Sequence, residues 1–159
     1  MMKIENNINY SIISNNINKT LLDKFCEYTL VDGFIKYDEL VSKISYFKNK
    51  TIVFNDVLRS FSNEEKESII DLLMVRKINF INITSNMEEL LLSDYIFVFN
   101  NDELVLEGKV KDVLKEEKIL KRIGFSLPFI VDLSTQLKLY GVISEVSYNE
   151  RELVSELWK

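Results

Sequence analysis

The octet Ile13-Ser14-Asn15-Asn16-Ile17-Asn18-Lys19-Thr20 has the length and the Lys-Thr ending of a phosphate-binding G-x-x-x-x-G-K-[ST] loop, with both glycines replaced. In a working loop of that kind the glycines let consecutive backbone N–H groups curl around the phosphates, at backbone angles that side chains forbid. Ile13, Ile17 and Asn18 obstruct that curl, and the four glycines of the chain (Gly33, Gly108, Gly124, Gly141) all lie elsewhere. Lys19 keeps an ammonium that can meet a phosphate and Thr20 a hydroxyl that can touch a magnesium ion. Lys and Thr opening a helix also serve plain solvation, so the octet alone leaves both readings open.

The rest of the composition removes most other chemistry. With no histidine, the chain lacks the Ser-His-Asp and Cys-His triads, imidazole proton shuttles and nearly all zinc sites. Cys26, the single cysteine, sits between Phe25 and Glu27 in a helical pattern and reads as packing. The formal charge is −5, and the lysines and arginines are scattered along the chain, which gives no electrostatic footprint for nucleic acid. At 159 residues, 47% hydrophobic and 28% charged, the chain has the make-up of one globular domain, or one with a small appendage. No apolar run reaches the roughly 18 residues of a membrane-spanning helix, and the first residues lack the apolar stretch of a signal peptide, so a cytoplasmic location is expected.

Short β runs alternate with longer amphipathic patterns, which predicts an α/β layered fold on a largely parallel sheet. Strands are expected at Asn9–Ile13, Thr29–Val31, Thr51–Phe54, Phe80–Ile83 and Tyr95–Phe99, with Glu103–Leu106 closing a hairpin on the last. Helices are expected at Lys19–Phe25 and Asp38–Phe47. Two more open on the capping-box patterns Ser62/Glu65 and Ser85/Glu88. After Gly108 the β signal stops and three helical patterns follow, near 110–122, 128–139 and 149–158. The predicted organisation is an α/β domain over 1–108 and a helical extension over 109–159.

Asn55-Asp56-Val57-Leu58-Arg59-Ser60-Phe61-Ser62-Asn63 stands after the right strand and before the right helix to resemble the D-E-P-T-A-G-L-D-P segment of ATP-binding-cassette (ABC) transporter ATPases. Ile83-Thr84-Ser85-Asn86-Met87-Glu88-Glu89 resembles their I-T-H-D-M-E-E segment, and Ser93–Phe99 with Leu106-Glu107-Gly108 resembles the hairpin that follows. The last third, from Ile123-Gly124-Phe125-Ser126-Leu127-Pro128 to Leu157, resembles the C-terminal helical extension of the energy-coupling-factor and cobalt-importer subfamily. The likeness is good over about residues 50–159. Before that, Met2–Asn6 resembles the family's first strand and Val31-Asp32-Gly33 the hairpin after its first helix, while the L-S-G-G-Q signature, the Q-loop and the helical subdomain have no counterpart. The resemblance implies a reduced P-loop NTPase-like fold.

It also assigns roles. The magnesium-organising acid and the neighbouring carboxylate that positions the attacking water fall at Asn55, which is neutral, and Asp56, which is one carbon short. Asp56 is thus a weak catalytic candidate, and Asn18, Lys19, Thr20, Asn55 and Ser85 are degenerate nucleotide-site positions. Ser85 takes the place of the switch histidine and is too short for its task. Both strand-end residues also read as ordinary polar termini, and Ser85 as a helix cap. Loss at several sites together points to a non-hydrolysing, structural or regulatory subunit with no metal or bound cofactor, Mg-ATP being the only one the resemblance offers. The alternatives are a residual ATP-binding or ATPase subunit using Lys19, Thr20 and Asp56, and a small scaffold domain unrelated to transport. Implied partners are an ABC ATPase subunit or a second copy, met through Leu133, Leu137, Leu153, Val154, Leu157 and Trp158 of the extension, within a transporter complex at the inner face of the membrane.

Overall fold

Runs of apolar and β-branched residues, short and bounded by polar turns, build one six-stranded sheet. The computed structural model describes residues 5, 8–14, 28–48 and 50–158. Its strands are β1 (Tyr10–Ser14), β2 (Thr29–Asp32), β3 (Thr51–Asn55), β4 (Asn79–Thr84), β5 (Tyr95–Asn100) and β6 (Glu103–Lys109), in the order β2-β3-β4-β1-β5-β6. The first five run parallel and β6 returns antiparallel to β5. That last pair is the hairpin the sequence predicts, turned by Asn101 and Asp102, both at positive φ. Of the predicted first strand at Met2–Asn6 only Glu5 is described, and the helix at Lys19–Phe25 lies outside the described residues.

Alternation along the strands separates two faces. One carries Ile52, Phe54 and Phe80 under helices α1 (Tyr37–Tyr46) and α2 (Asn63–Val75), through Leu40, Ile44, Ile69, Ile70 and Leu73. The same face continues through Ile13, Ile96 and Val98 under helices α3 (Val110–Lys115), α4 (Glu117–Arg122) and α5 (Phe129–Leu139). Val113, Leu114, Leu120 and Val131 pack there with Met87 and Leu90, so the helices beyond Gly108 share a core with strands near the start of the chain. The opposite face holds Tyr10, Ile12, Val53, Ile81, Ile83, Phe97 and Phe99. Helix α6 (Glu150–Leu157) sits against α5 and buries Leu153.

Local signals are honoured in some places and overruled in others. Ser62 and Glu65 form the predicted reciprocal capping box at the start of α2. The Ser85/Glu88 pair does not. There the segment Met87–Leu92 is a 3-10 helix capped by Asn86, whose side chain accepts from the Glu88 N–H, and the Glu88 carboxylate is drawn 41 residues away to the Phe129 N–H at 2.6 Å. Thr29–Asp32 is no hairpin either: its register Asp32↔Asn55 makes it a parallel strand at the sheet edge. The predicted helix over 110–122 divides at Glu116, whose ψ of 42 breaks the helical path.

Candidate functional site

Parallel pairing gathers the residues singled out by sequence. Asp32 stands opposite Asn55, Asn55 opposite Ile83, and Ile13 opposite Thr84, so the carboxyl ends of β1, β2, β3 and β4 share one edge of the sheet. In open parallel sheets that edge is where ligands bind. Asn55, Asp56 and Ser85 all lie on it, beside Ser14, the last residue of β1. Asn18, Lys19 and Thr20, which follow Ser14 in the chain, lie outside the described residues.

Each described candidate has a defined environment. The Asn55 amide donates to Asp32 Oδ1 at 2.7 Å, while its own Oδ1 is buried without a hydrogen bond. Asp56 turns sharply out of β3 at φ +56, a left-handed conformation that aspartate tolerates better than most residues. Its N–H donates to the Ile83 carbonyl at 2.9 Å, and its side chain is exposed. The turn is anchored from behind by Val57, Leu58 and Phe61, all buried in the core under α1 and α2. Ser85 is exposed, and the loop around it is fixed by its neighbour Thr84, whose hydroxyl accepts from the Asn86 N–H at 3.0 Å. The edge therefore presents two carboxylates, Asp32 and Asp56, bracketing a neutral amide.

Sequence reasoning missed Asp32 because it read residues 31–33 as a turn; a parallel pairing of Thr29–Asp32 with the next strand is the signal that would have placed it. It also missed a buried polar set behind the site. Asn82, in the middle of β4, donates to Glu89 Oε2 at 2.9 Å, and Lys66 of α2 lies 3.4 Å from Glu89 Oε1. All three are buried, and the side-chain Oδ1 of Asn82 has no hydrogen-bond partner. Among the described residues no group of three or more acidic or thiol side chains is arranged to hold a metal ion.

The apolar residues of the extension divide. Leu153 is buried, and Leu133 and Leu137 are half-buried, whereas Val154, Leu157 and Trp158 are exposed, Trp158 at 85%. Leu139, Tyr140 and Val142, at the end of α5 and just beyond it, are exposed as well. A hydrogen bond from Ser144 to Glu156 at 3.0 Å ties that turn to the last turn of α6.

No protein-family model matches the chain. Curated relatives do. The energy-coupling factor transporter ATP-binding protein of Lactobacillus delbrueckii subsp. bulgaricus is 32% identical over 127 residues, covering 75% of this chain and 44% of the relative. That of Mycoplasma pneumoniae is 34% identical over 116 residues, covering 70% of this chain and 42% of the relative. The chain is a homologue of energy-coupling-factor transporter ATP-binding proteins. It spans less than half the length of the relatives it matches. A solved structure of cbiO1 from Clostridium perfringens, described as part of the ABC transporter complex cbiONQ, superposes with a TM-score of 0.52 at 13% identity, over 83% of this chain and 89% of that one. The fold of this homologue is thus a reduced P-loop NTPase-like α/β sheet, as the sequence predicts. Among its described residues no helix is long and apolar enough to cross a membrane.

Proposed function

We propose that this homologue is a non-hydrolysing member of an energy-coupling-factor or cobalt-type importer assembly, acting as a structural or regulatory partner of an ATPase subunit. One observation supports the reading: Asn55, which the resemblance sets where the family carries a magnesium-organising acid, is neutral, and its amide N–H is committed to Asp32. A magnesium-bound triphosphate is a poor match to that edge. The ion would meet a neutral group whose one unengaged oxygen is already buried, and Asp56 is too short to stand in for a glutamate. Ser85 adds a single short hydroxyl at the switch position.

The partner role draws on the exposed apolar side chains of the extension over 109–159, which this reading treats as a unit added to the α/β part over 1–108. Val154, Leu157 and Trp158 project from the last turns of α6, and Leu139, Tyr140 and Val142 from the end of α5. Aromatic anchors of that kind dominate protein interfaces. In such an assembly the chain would sit at the inner face of the cell membrane beside a membrane component.

Size-exclusion chromatography with light scattering, with and without a co-expressed intact homologous ATPase, tests the partner role. The expected result is a heteromer that Trp158→Ser weakens; a strict monomer indifferent to the ATPase would sink it. Thermal shift with Mg-ATP tests the lost chemistry, because a ligand of the folded state must raise the melting temperature. No shift is expected at millimolar nucleotide.

A further inference from the structure

The edge of the sheet opposite the candidate site carries a second surface. There β3 and β4 begin, and the Asn79 N–H donates to the Lys50 carbonyl at 2.7 Å, joining the segment that follows α1 to the segment that follows α2. Tyr46 ends α1 and Lys48 and Lys50 follow it; Met74 and Val75 end α2 and Arg76 and Lys77 follow it. The second is held by a tight helix end: Lys77 sits at φ +57, its N–H donates to the Met74 carbonyl, and the Ile78 N–H reaches back to Leu73. Cations spread through the sequence are thereby collected, and Lys48, Lys50, Arg76 and Lys77 are all exposed. None forms an ion pair with another described residue. The nearest acids in sequence are Asp56, which follows the far end of β3, and Asp71, on α2.

The same edge exposes large apolar side chains, Tyr46 at 81%, Met74 at 61% and Val75 at 81%. We propose that this basic and apolar edge is a docking surface for an anionic lipid bilayer. Charge complementarity selects the occupant: the chain as a whole is acidic, and with these four cations set aside the remainder is more so, which turns this edge toward negative headgroups. Long lysine and arginine stems can lie along the surface with their heads among phosphates while Met74, Val75 and Tyr46 enter the boundary with the acyl chains. A nucleic acid would find only one aromatic face here, Tyr46, and no stacking platform. The inference does not depend on the fate of ATP hydrolysis at the opposite edge.

Co-sedimentation of the full chain with vesicles tests it, comparing phosphatidylcholine alone with phosphatidylcholine mixed with phosphatidylserine, an anionic lipid that attracts polybasic segments. Binding is expected only with the anionic lipid and should weaken with salt. Two variants separate the contributions. K48E/K50E/R76E, which spares Lys77 at its left-handed position, should lower partitioning about tenfold or more; M74S/V75S should lower it several-fold while leaving the salt dependence intact. Equal binding to neutral vesicles, no binding at all, a charge-reversal variant that binds as well as wild type, or a preference for single-stranded DNA over anionic vesicles would each overturn the proposal.

Discussion

The Asn55 amide donates to Asp32 across 2.7 Å, joining the carboxyl ends of two adjacent parallel strands at the edge of the sheet. A carboxylate in place of that amide would face Asp32 at the same distance with no proton between them, and two such groups repel unless they share one or bind a cation. Asn55→Asp is therefore expected to lower the melting temperature by a few degrees at pH 7 and by much less at pH 4, where a shared proton restores the bridge. Millimolar magnesium should recover part of the loss in the variant and leave wild type unmoved. Melting curves across that grid decide it; equal magnesium stabilisation of wild type would show that the neutral site already holds the ion.

Glu89 is the hub of the buried polar set, accepting from Asn82 and facing Lys66. Removing one member of a buried ion pair strands the other in a low dielectric and typically costs about 3–5 kcal/mol, whereas replacing the pair with well-packed apolar groups is close to neutral. Urea denaturation should thus find Glu89→Ala strongly destabilised, since it orphans both Lys66 and the Asn82 amide. The double variant K66M/E89L should recover a large part of that loss. If E89A alone unfolds at the wild-type midpoint, the set contributes nothing to stability.

Much of the architecture was legible because strands and helices bury different periods. Thr51–Phe54 and Tyr95–Phe99 are short continuous apolar runs, and both become interior strands within a residue of the predicted ends. Asp32 was not legible, because a short strand ending in Asp-Gly carries the same local signal whether it turns back as a hairpin or pairs in parallel with a distant strand. Nor was the fate of Glu88, whose partner Phe129 lies 41 residues on and follows Pro128, a relation that only tertiary packing creates. Asn55 and Asp56 stand out through the order and spacing of the segments that resemble ABC ATPases, yet the bond that occupies Asn55 comes from β2, whose parallel pairing leaves no local signal in the sequence. The edge cations were hidden for the same reason: Lys50 and Lys77 are far apart in the chain and reach one edge of the sheet only through the register of β3 and β4.

Two tyrosines should report alkaline pH. Burial pushes the Tyr95 phenol above its usual range, with the charge of Glu107 adding to the effect, and burial likewise raises Tyr148 with Lys115 partly opposing. A phenol whose folded value is raised holds its proton more tightly in the native state, so stability is full below the unfolded value near pH 10 and falls as pH rises through the folded one. Tyr95 and Tyr148 are expected to ionise late in an ultraviolet titration of the folded protein, and earlier in urea. Tyr95→Phe and Tyr148→Phe should each remove part of the late component; a titration unchanged by both substitutions would contradict the assignment.

The two capping patterns look alike in sequence and differ in the structure, which makes them a direct test. At α2 the Ser62 side chain accepts from the Glu65 N–H at 3.2 Å, and the Glu65 carboxylate accepts from the Ser62 N–H at 2.8 Å. Ser62→Ala should therefore cost about 1 kcal/mol, the usual loss for an N-cap. Ser85 caps nothing, and Asn86 does its work one residue later with the Glu88 N–H as donor. Ser85→Ala is accordingly expected to stay within about 0.5 kcal/mol of wild type, whereas Asn86→Ala should lose an amount comparable to Ser62→Ala. Chemical denaturation of the three variants gives the ranking. Should Ser85→Ala prove as costly as Ser62→Ala, Ser85 would be bonding to something the capping geometry does not include, and its place on the candidate edge would make that partner the next thing to find.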